Sequence, residues 1–146
     1  MPLPSYEAFD EKELGAQVLL SQFKLNTSGD AVTVRQAVAR YMKEHGASAL
    51  TVTRFATAVS EIARNAIVHA GGGEFSIYVD PGRKQLSVVC WDKGPGIEDI
   101  ELALSDGYTS GGGLGRGLGG AKRLAKKFEI RTAVGGGTSV LMSVNL

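Results

Sequence analysis

The sequence predicts an α+β domain, a two-layer sandwich of helices against a mostly antiparallel sheet. Three observations carry this. Apolar residues first recur at helical spacing, where Phe55, Val59, Ile62 and Ala66 advance by four, three and four positions and keep one stripe facing a core. The period then drops to two in "EFSIYVD" (74–80), where Phe75, Ile77 and Val79 alternate with Ser76 and Tyr78. Two further strand-like runs, "EIRTAV" and "TSVLMSV", close the chain across a "GGG" turn.

The elements follow in order. Residues 1–14, "MPLPSYEAFDEKEL", are polar and proline-containing and read as a flexible arm or a partner-touching lead-in, leaving 15–146 as a single domain. A chain of this length can bury roughly 70% of its unfolded surface. "QVLLSQFKL" (17–25) is a strand. "NTSGD" offers turn and cap residues, and Asp30 is expected to cap a helix that runs to about His45 and stops at Gly46. The helix carrying the apolar stripe covers 49–69 and ends in "HAGGG". "QLSVVCW" (85–91) returns across the "PGRK" turn as the buried partner of 74–80, making a hairpin. "IEDIELAL" reads as a short helix. The pattern from Leu118 to Phe128 is helical again, with Leu124 and Phe128 four apart.

Composition excludes several classes of function. At 43% hydrophobic and 21% charged the chain is an ordinary globular one, and a net charge of +1 gives no drive towards nucleic acid. The single cysteine, Cys90, cannot form an internal disulfide; within "LSVVCW" it reads as a packed core thiol in a reducing compartment. There is no basic, apolar leader and no run long enough to span a bilayer, so a soluble cytoplasmic protein with no membrane partner is expected.

The stretch "GYTSGGGLGRGLGGAKR" (107–123) places eight glycines in its first fourteen positions. "GRGLGG" matches a dinucleotide fingerprint in letters only, because that fingerprint must follow the first strand of a parallel unit. A phosphate-binding P-loop fails too, since no glycine here is followed by Lys and then Ser or Thr. A linker does not suit a segment flanked by elements that share one sheet. What remains is a glycine-rich loop whose amides, continuing into a helix N-terminus, form an anion site that approaches phosphate closely.

Three other places point the same way. Glu61, Asn65 and His69 fall at i, i+4 and i+8 on one helix, a polar stripe beside the apolar one. Glu and Asn bring oxygen ligands and a general base, which suits Mg²⁺, while His69 reads as a helix-end cation or a packed ring. "WDKGPGI" (91–97) places Asp92 at the end of a buried strand, where an acceptor-only carboxylate selects a ligand with an exocyclic amine such as adenine. "VGGGTSV" (134–140) brings the Thr138 hydroxyl to the start of the last strand.

Glu-x-x-x-Asn on a helix, Asp-x-Gly-x-Gly after a strand, a Gly-x-Gly-x-Gly lid and a final Gly-Thr, in this order over about 55–140, resemble the Bergerat-fold, histidine-kinase-like ATPases. "SEIARNAIVHAGGG", "DKGPGI" and "GGGT" narrow the likeness to the small anti-sigma regulatory kinases of the RsbT type, the switch serine/threonine kinases of the bacterial stressosome. That resemblance implies a mixed, mostly antiparallel sheet with helices on one face. It implies Glu61 as the catalytic base, Asn65 holding Mg²⁺, and Asp92 bonding the adenine amine. It puts Gly94, Gly96 and Ile97 at the base pocket, Gly113, Leu114, Gly115, Arg116, Gly117 and Leu118 in the phosphate lid, and Thr138 in the last box. ATP and Mg²⁺ are the implied cofactors. The implied substrate is a serine or threonine of a STAS-domain antagonist protein, with a PP2C-type phosphatase or a sigma factor as a further partner.

The chain departs from the pattern in its longer N-terminus and in Arg116, which stands among lid glycines where a small residue is expected. The basic residues Lys122, Arg123, Lys126 and Lys127 read as one helix face, either solvated or a dock for an acidic partner, and Arg64 beside Asn65 is equally open. The alternative function is a non-catalytic, ATP-binding anti-sigma factor that sequesters its partner.

Overall fold

The computed structural model describes residues 9, 15, 17–82, 84–105 and 117–146. Strand β1 (Val18–Leu25) leads into helix α1 (Ser28–Glu44), whose N-cap is Thr27 with extended backbone angles. Asp30 is not the cap. Its carboxylate sits at the third helical position and accepts from the N–H groups of Asn26 at 2.7 Å and Thr27 at 2.9 Å, closing a capping box. Those two bonds hold its carboxyl below the usual range.

Helix α2 (Ala49–Ala70) starts where Ser48 Oγ accepts from Thr51 N–H at 3.2 Å, and it ends at Gly71 in a left-handed cap. β2 (Gly73–Asp80) and β3 (Gln85–Asp92) form the expected hairpin, with Phe75 opposite Cys90 and Ile77 opposite Val88. Two short helices follow, α3 (Ile100–Ala103) and α4 (Gly117–Leu124). β4 (Lys127–Ala133) and β5 (Gly137–Asn145) end the fold.

The five strands lie in the order β1-β2-β3-β5-β4. Every pairing among the described strands is antiparallel, so the sheet expected to be mixed is antiparallel throughout. The inward row Phe75, Ile77, Val88, Cys90, Val140 and Met142 meets Phe55, Val59, Ile62 and Ala66 of α2, and none of these is more than 4% exposed. Each large member contributes about 1.5–3 kcal/mol by leaving water. Cys90 is part of this core, its thiol 3.8 Å from the Ile62 carbonyl. Burial, and then the nearby Asp92 charge, push its pKa far above the ordinary thiol range.

The helix expected over 118–128 stops at Leu124. A spacing of four between Leu124 and Phe128 suits a helix, but Phe128 sits opposite Met142 in the β4–β5 ladder and still reaches the core. Backbone pairing from Lys127 onward wins over the local pattern. As a result Lys122 and Arg123 lie on α4, whereas Lys126 and Lys127 lie beyond it, and the four do not share a helix face. Among the described residues, no helix is long and apolar enough to cross a membrane.

Candidate functional site

The end of β3 lies beside the start of β5, with Asp92 paired to Thr138 at the last position of their register. Both side chains point to the helix-covered layer, as do Cys90 and Val140 two residues behind them. Asp92 is 7% exposed. Its Oδ1 accepts two backbone N–H groups, from Gly94 at 2.9 Å and from Thr138 at 3.2 Å. Both bonds fall on one oxygen, and among the described residues Oδ2 accepts no hydrogen bond. Burial raises the Asp92 pKa; the two N–H bonds and the nearby His69 pull the other way.

A hydroxyl network fastens this corner. Thr132 Oγ1 accepts from Ile97 N–H at 2.9 Å and donates to the Gly137 carbonyl at 2.8 Å. With that proton committed, Thr138 is the donor in its 3.0 Å contact with Thr132 Oγ1. The loop after Asp92 depends on two glycines. Gly96 has φ of +76°, and a Cβ there would strike the Ala133 carbonyl. A Cβ on Gly94 would collide with Ala70 of α2, so the loop could not lie against the helix.

In front of these groups lies a cleft of about 810 Å³. It is lined by Asn65 and His69 of α2, Asp92 and Thr138 where β3 meets β5, Gly96 and Ile97 of the loop after β3, and Gly117 and Leu118 at the start of α4. Its size suits a ligand pocket of roughly 300–1,000 Å³.

Glu61 lies one helical turn below Asn65 and is 4% exposed. Arg64 Nη2 donates to both its oxygens, at 3.1 and 3.2 Å, and the Gly117 N–H donates to Oε2 at 3.0 Å. A buried carboxylate needs such partners, and here they come from its own helix and from the first residue of α4. The Glu61–Gly117 bond ties α2 to the end of the glycine-rich stretch.

Of the residues singled out from the sequence, Asn65, Asp92, Gly96, Ile97, Gly117, Leu118 and Thr138 come together around this cleft. Gly94 lies behind Asp92 and Glu61 beneath the cleft. Gly113, Leu114, Gly115 and Arg116 fall outside the described residues. His69, read as a helix-end cation or a packed ring, lines the cleft, and Arg64 is the partner of Glu61. Sequence reasoning missed Thr132, which belongs to no motif. Its one signal is a position opposite Thr138 in the closing hairpin. It also missed Glu98, Asp99 and Leu102 at the cleft wall.

Helices on one face of a five-stranded antiparallel sheet, with this cleft at the end of its central strands, define an ATPase domain of the histidine kinase type. Residues 26–144 match the histidine kinase-like ATPase domain family, and the chain belongs to that family. It is 40% identical over 119 residues to the serine/threonine-protein kinase RsbT of Bacillus subtilis, covering 80% of this chain and 90% of the relative. An anti-sigma F factor of Clostridium novyi is 28% identical over 129 residues, covering 84% of this chain and 90% of the relative. A crystal structure of RsbU and RsbW domains from Mycobacterium tuberculosis has the same fold, with a TM-score of 0.60 and 20% identity over 87% of this chain and 33% of that one.

Proposed function

We infer that this chain is an ATP-dependent serine/threonine protein kinase of the partner-switching type. The observation that carries the reading is a pair of buried carboxylates with different surroundings: Asp92 lines the cleft and accepts two N–H groups on Oδ1, and Glu61 is bonded to the start of α4. The kinase relative at 40% identity supports it.

In this reading Asp92 Oδ2 accepts the adenine amine, with Gly94, Gly96 and Ile97 shaping the ring pocket and Thr138 offering its hydroxyl. Gly113, Leu114, Gly115, Arg116, Gly117 and Leu118 enclose the triphosphate, and backbone N–H groups there meet its charge. Asn65 suits Mg²⁺ through one amide oxygen. Phosphate oxygens and water would complete the shell that Mg²⁺ favours. When bound, the ion neutralises charge on the phosphate oxygens. The acceptor is a serine or threonine hydroxyl of a STAS-domain antagonist protein. Its oxygen bonds to the γ-phosphorus as the bond to ADP breaks, and Glu61 takes its proton. A PP2C-type phosphatase or a sigma factor is a further partner of the switch.

The test is transfer of labelled phosphate from Mg²⁺–ATP to a STAS-domain protein. Glu61→Gln is expected to lower the rate by about 10²- to 10⁴-fold while nucleotide affinity stays. The similarity to an anti-sigma F factor supports a second reading, in which the chain sequesters a sigma factor. Stable sigma-factor binding without phosphotransfer, indifferent to Glu61→Gln, would establish it instead.

A further inference from the structure

The described helices lie on one face of the sheet, yet its other face is closed too. The outward residues Ser87 and Val89 of β3, and Ser139, Leu141 and Ser143 of β5, are each 8% exposed or less. Val89 stands opposite Leu141, and Ser87 opposite Ser143 with their hydroxyls 2.9 Å apart. A sheet face left to water shows one buried and one wet side, whereas β5 is buried at every position from Gly137 to Val144. The Ser139 hydroxyl is buried on this face without a hydrogen-bond partner among the described residues.

The described residue that lies over this face is Phe9. Its ring packs on Val89 and Leu141 beside Tyr78, and the Arg131 guanidinium lies 4.1 Å from the ring centroid, close cation–π contact. Phe9 therefore lies over the middle of the sheet, on β3 and β5 with Arg131 of β4 reaching its ring, whereas the chain enters the sheet at Val18 on the β1 edge. The whole sheet is four strand steps wide, about 19 Å, and Phe9 lies within that span. The nine residue steps from Phe9 to Val18 reach at most about 30 Å, so one chain can make the connection.

We propose that the outer face of the sheet is a docking surface whose occupant is this chain's own N-terminal segment, a strap anchored by Phe9 in the seat made by Val89, Leu141 and Arg131. The seat backs directly onto the cleft. Arg131 precedes Thr132, Ser139 follows Thr138, and Trp91, opposite Ser139, precedes Asp92. Outward seat residues and inward cleft residues thus alternate on the same strands. A second protein that takes this face must first displace the strap, and does so on the backbone that carries the cleft.

Side-chain NMR of the full-length protein tests this. The Phe9 ring current is expected to shift the Arg131 side-chain protons and the Val89 and Leu141 methyls upfield, independently of dilution. Phe9→Leu keeps an apolar side chain and should abolish the shift, while Phe9→Tyr should retain it. Identical spectra for the unsubstituted protein and Phe9→Leu would overturn the seat. A shift that fades on dilution would put a second copy's ring there and overturn the strap.

Discussion

Replacing Asp92 with Asn alters one atom's chemistry and keeps the shape of the cleft. The Asn Oδ1 can still accept from Gly94 and Thr138, which now bond Asp92 Oδ1 at 2.9 and 3.2 Å. The group facing the cleft, however, becomes an NH₂ donor. An adenine amine then meets a donor, and a hydrogen bond to a charged acceptor is lost. Such a bond contributes about 1.5–3 kcal/mol, or about 10- to 150-fold in Kd. Calorimetric titration with ATP should show that loss, and a purine with a carbonyl in place of the amine should lose less. Stability should move the other way. Burial raises the Asp92 pKa from its ordinary value of 3.8, so the folded chain binds that proton more tightly than the unfolded one. The ionised carboxylate costs stability above the raised value, and the cost is relieved as pH falls through the window between the raised value and the ordinary one. Asp92→Asn should therefore unfold at an equal or higher temperature at pH 7, with its advantage shrinking towards pH 4. ATP affinity equal to that of the unsubstituted protein would refute the placing of adenine at Asp92.

Two further substitutions probe the frame of the cleft. Gly96→Ala imposes a side chain at φ of +76° against the Ala133 carbonyl, so thermal unfolding should show a loss of about 1–3 kcal/mol together with weakened nucleotide binding. Thr132→Val removes the hydroxyl that serves Ile97, Gly137 and Thr138, at about 1–3 kcal/mol for a buried group left unpaired, whereas Thr132→Ser should stay near the parent in urea denaturation; equal effects of the two would refute the network.

What was legible in the sequence was periodic or chemically rare. The α2 stripe and the β2–β3 alternation predict elements because burial of one face imposes a period, and the structure has both. Asp92 and Thr138 stand 46 positions apart, and each is an ordinary turn-flanking residue alone. Only the order of four glycine- and acid-bearing segments joined them. The hidden features depend on pairings that no local window holds. The capping role moved from Asp30 to Thr27 because a carboxylate can reach back three positions. Phe128 left the expected helix because β5 offered its backbone a ladder. Thr132 acquired its role from the loop that folds onto it, and Arg64 from the turn of helix it shares with Glu61.

The strand order carries a consequence for how the protein is made. β5 is the last of these strands along the chain, yet it lies between β3 and β4 and so joins the two parts of the sheet. During synthesis the hairpin of β2 and β3 can form early, but β4 has no neighbour until residues 137–145 emerge. The same insertion delivers Thr138 to Asp92 and seals the cleft base. Sheet and cleft are therefore completed in one late step. A nascent chain that stops short of residue 137 holds the glycine-rich loop and both carboxylates but lacks the strand that makes them a site.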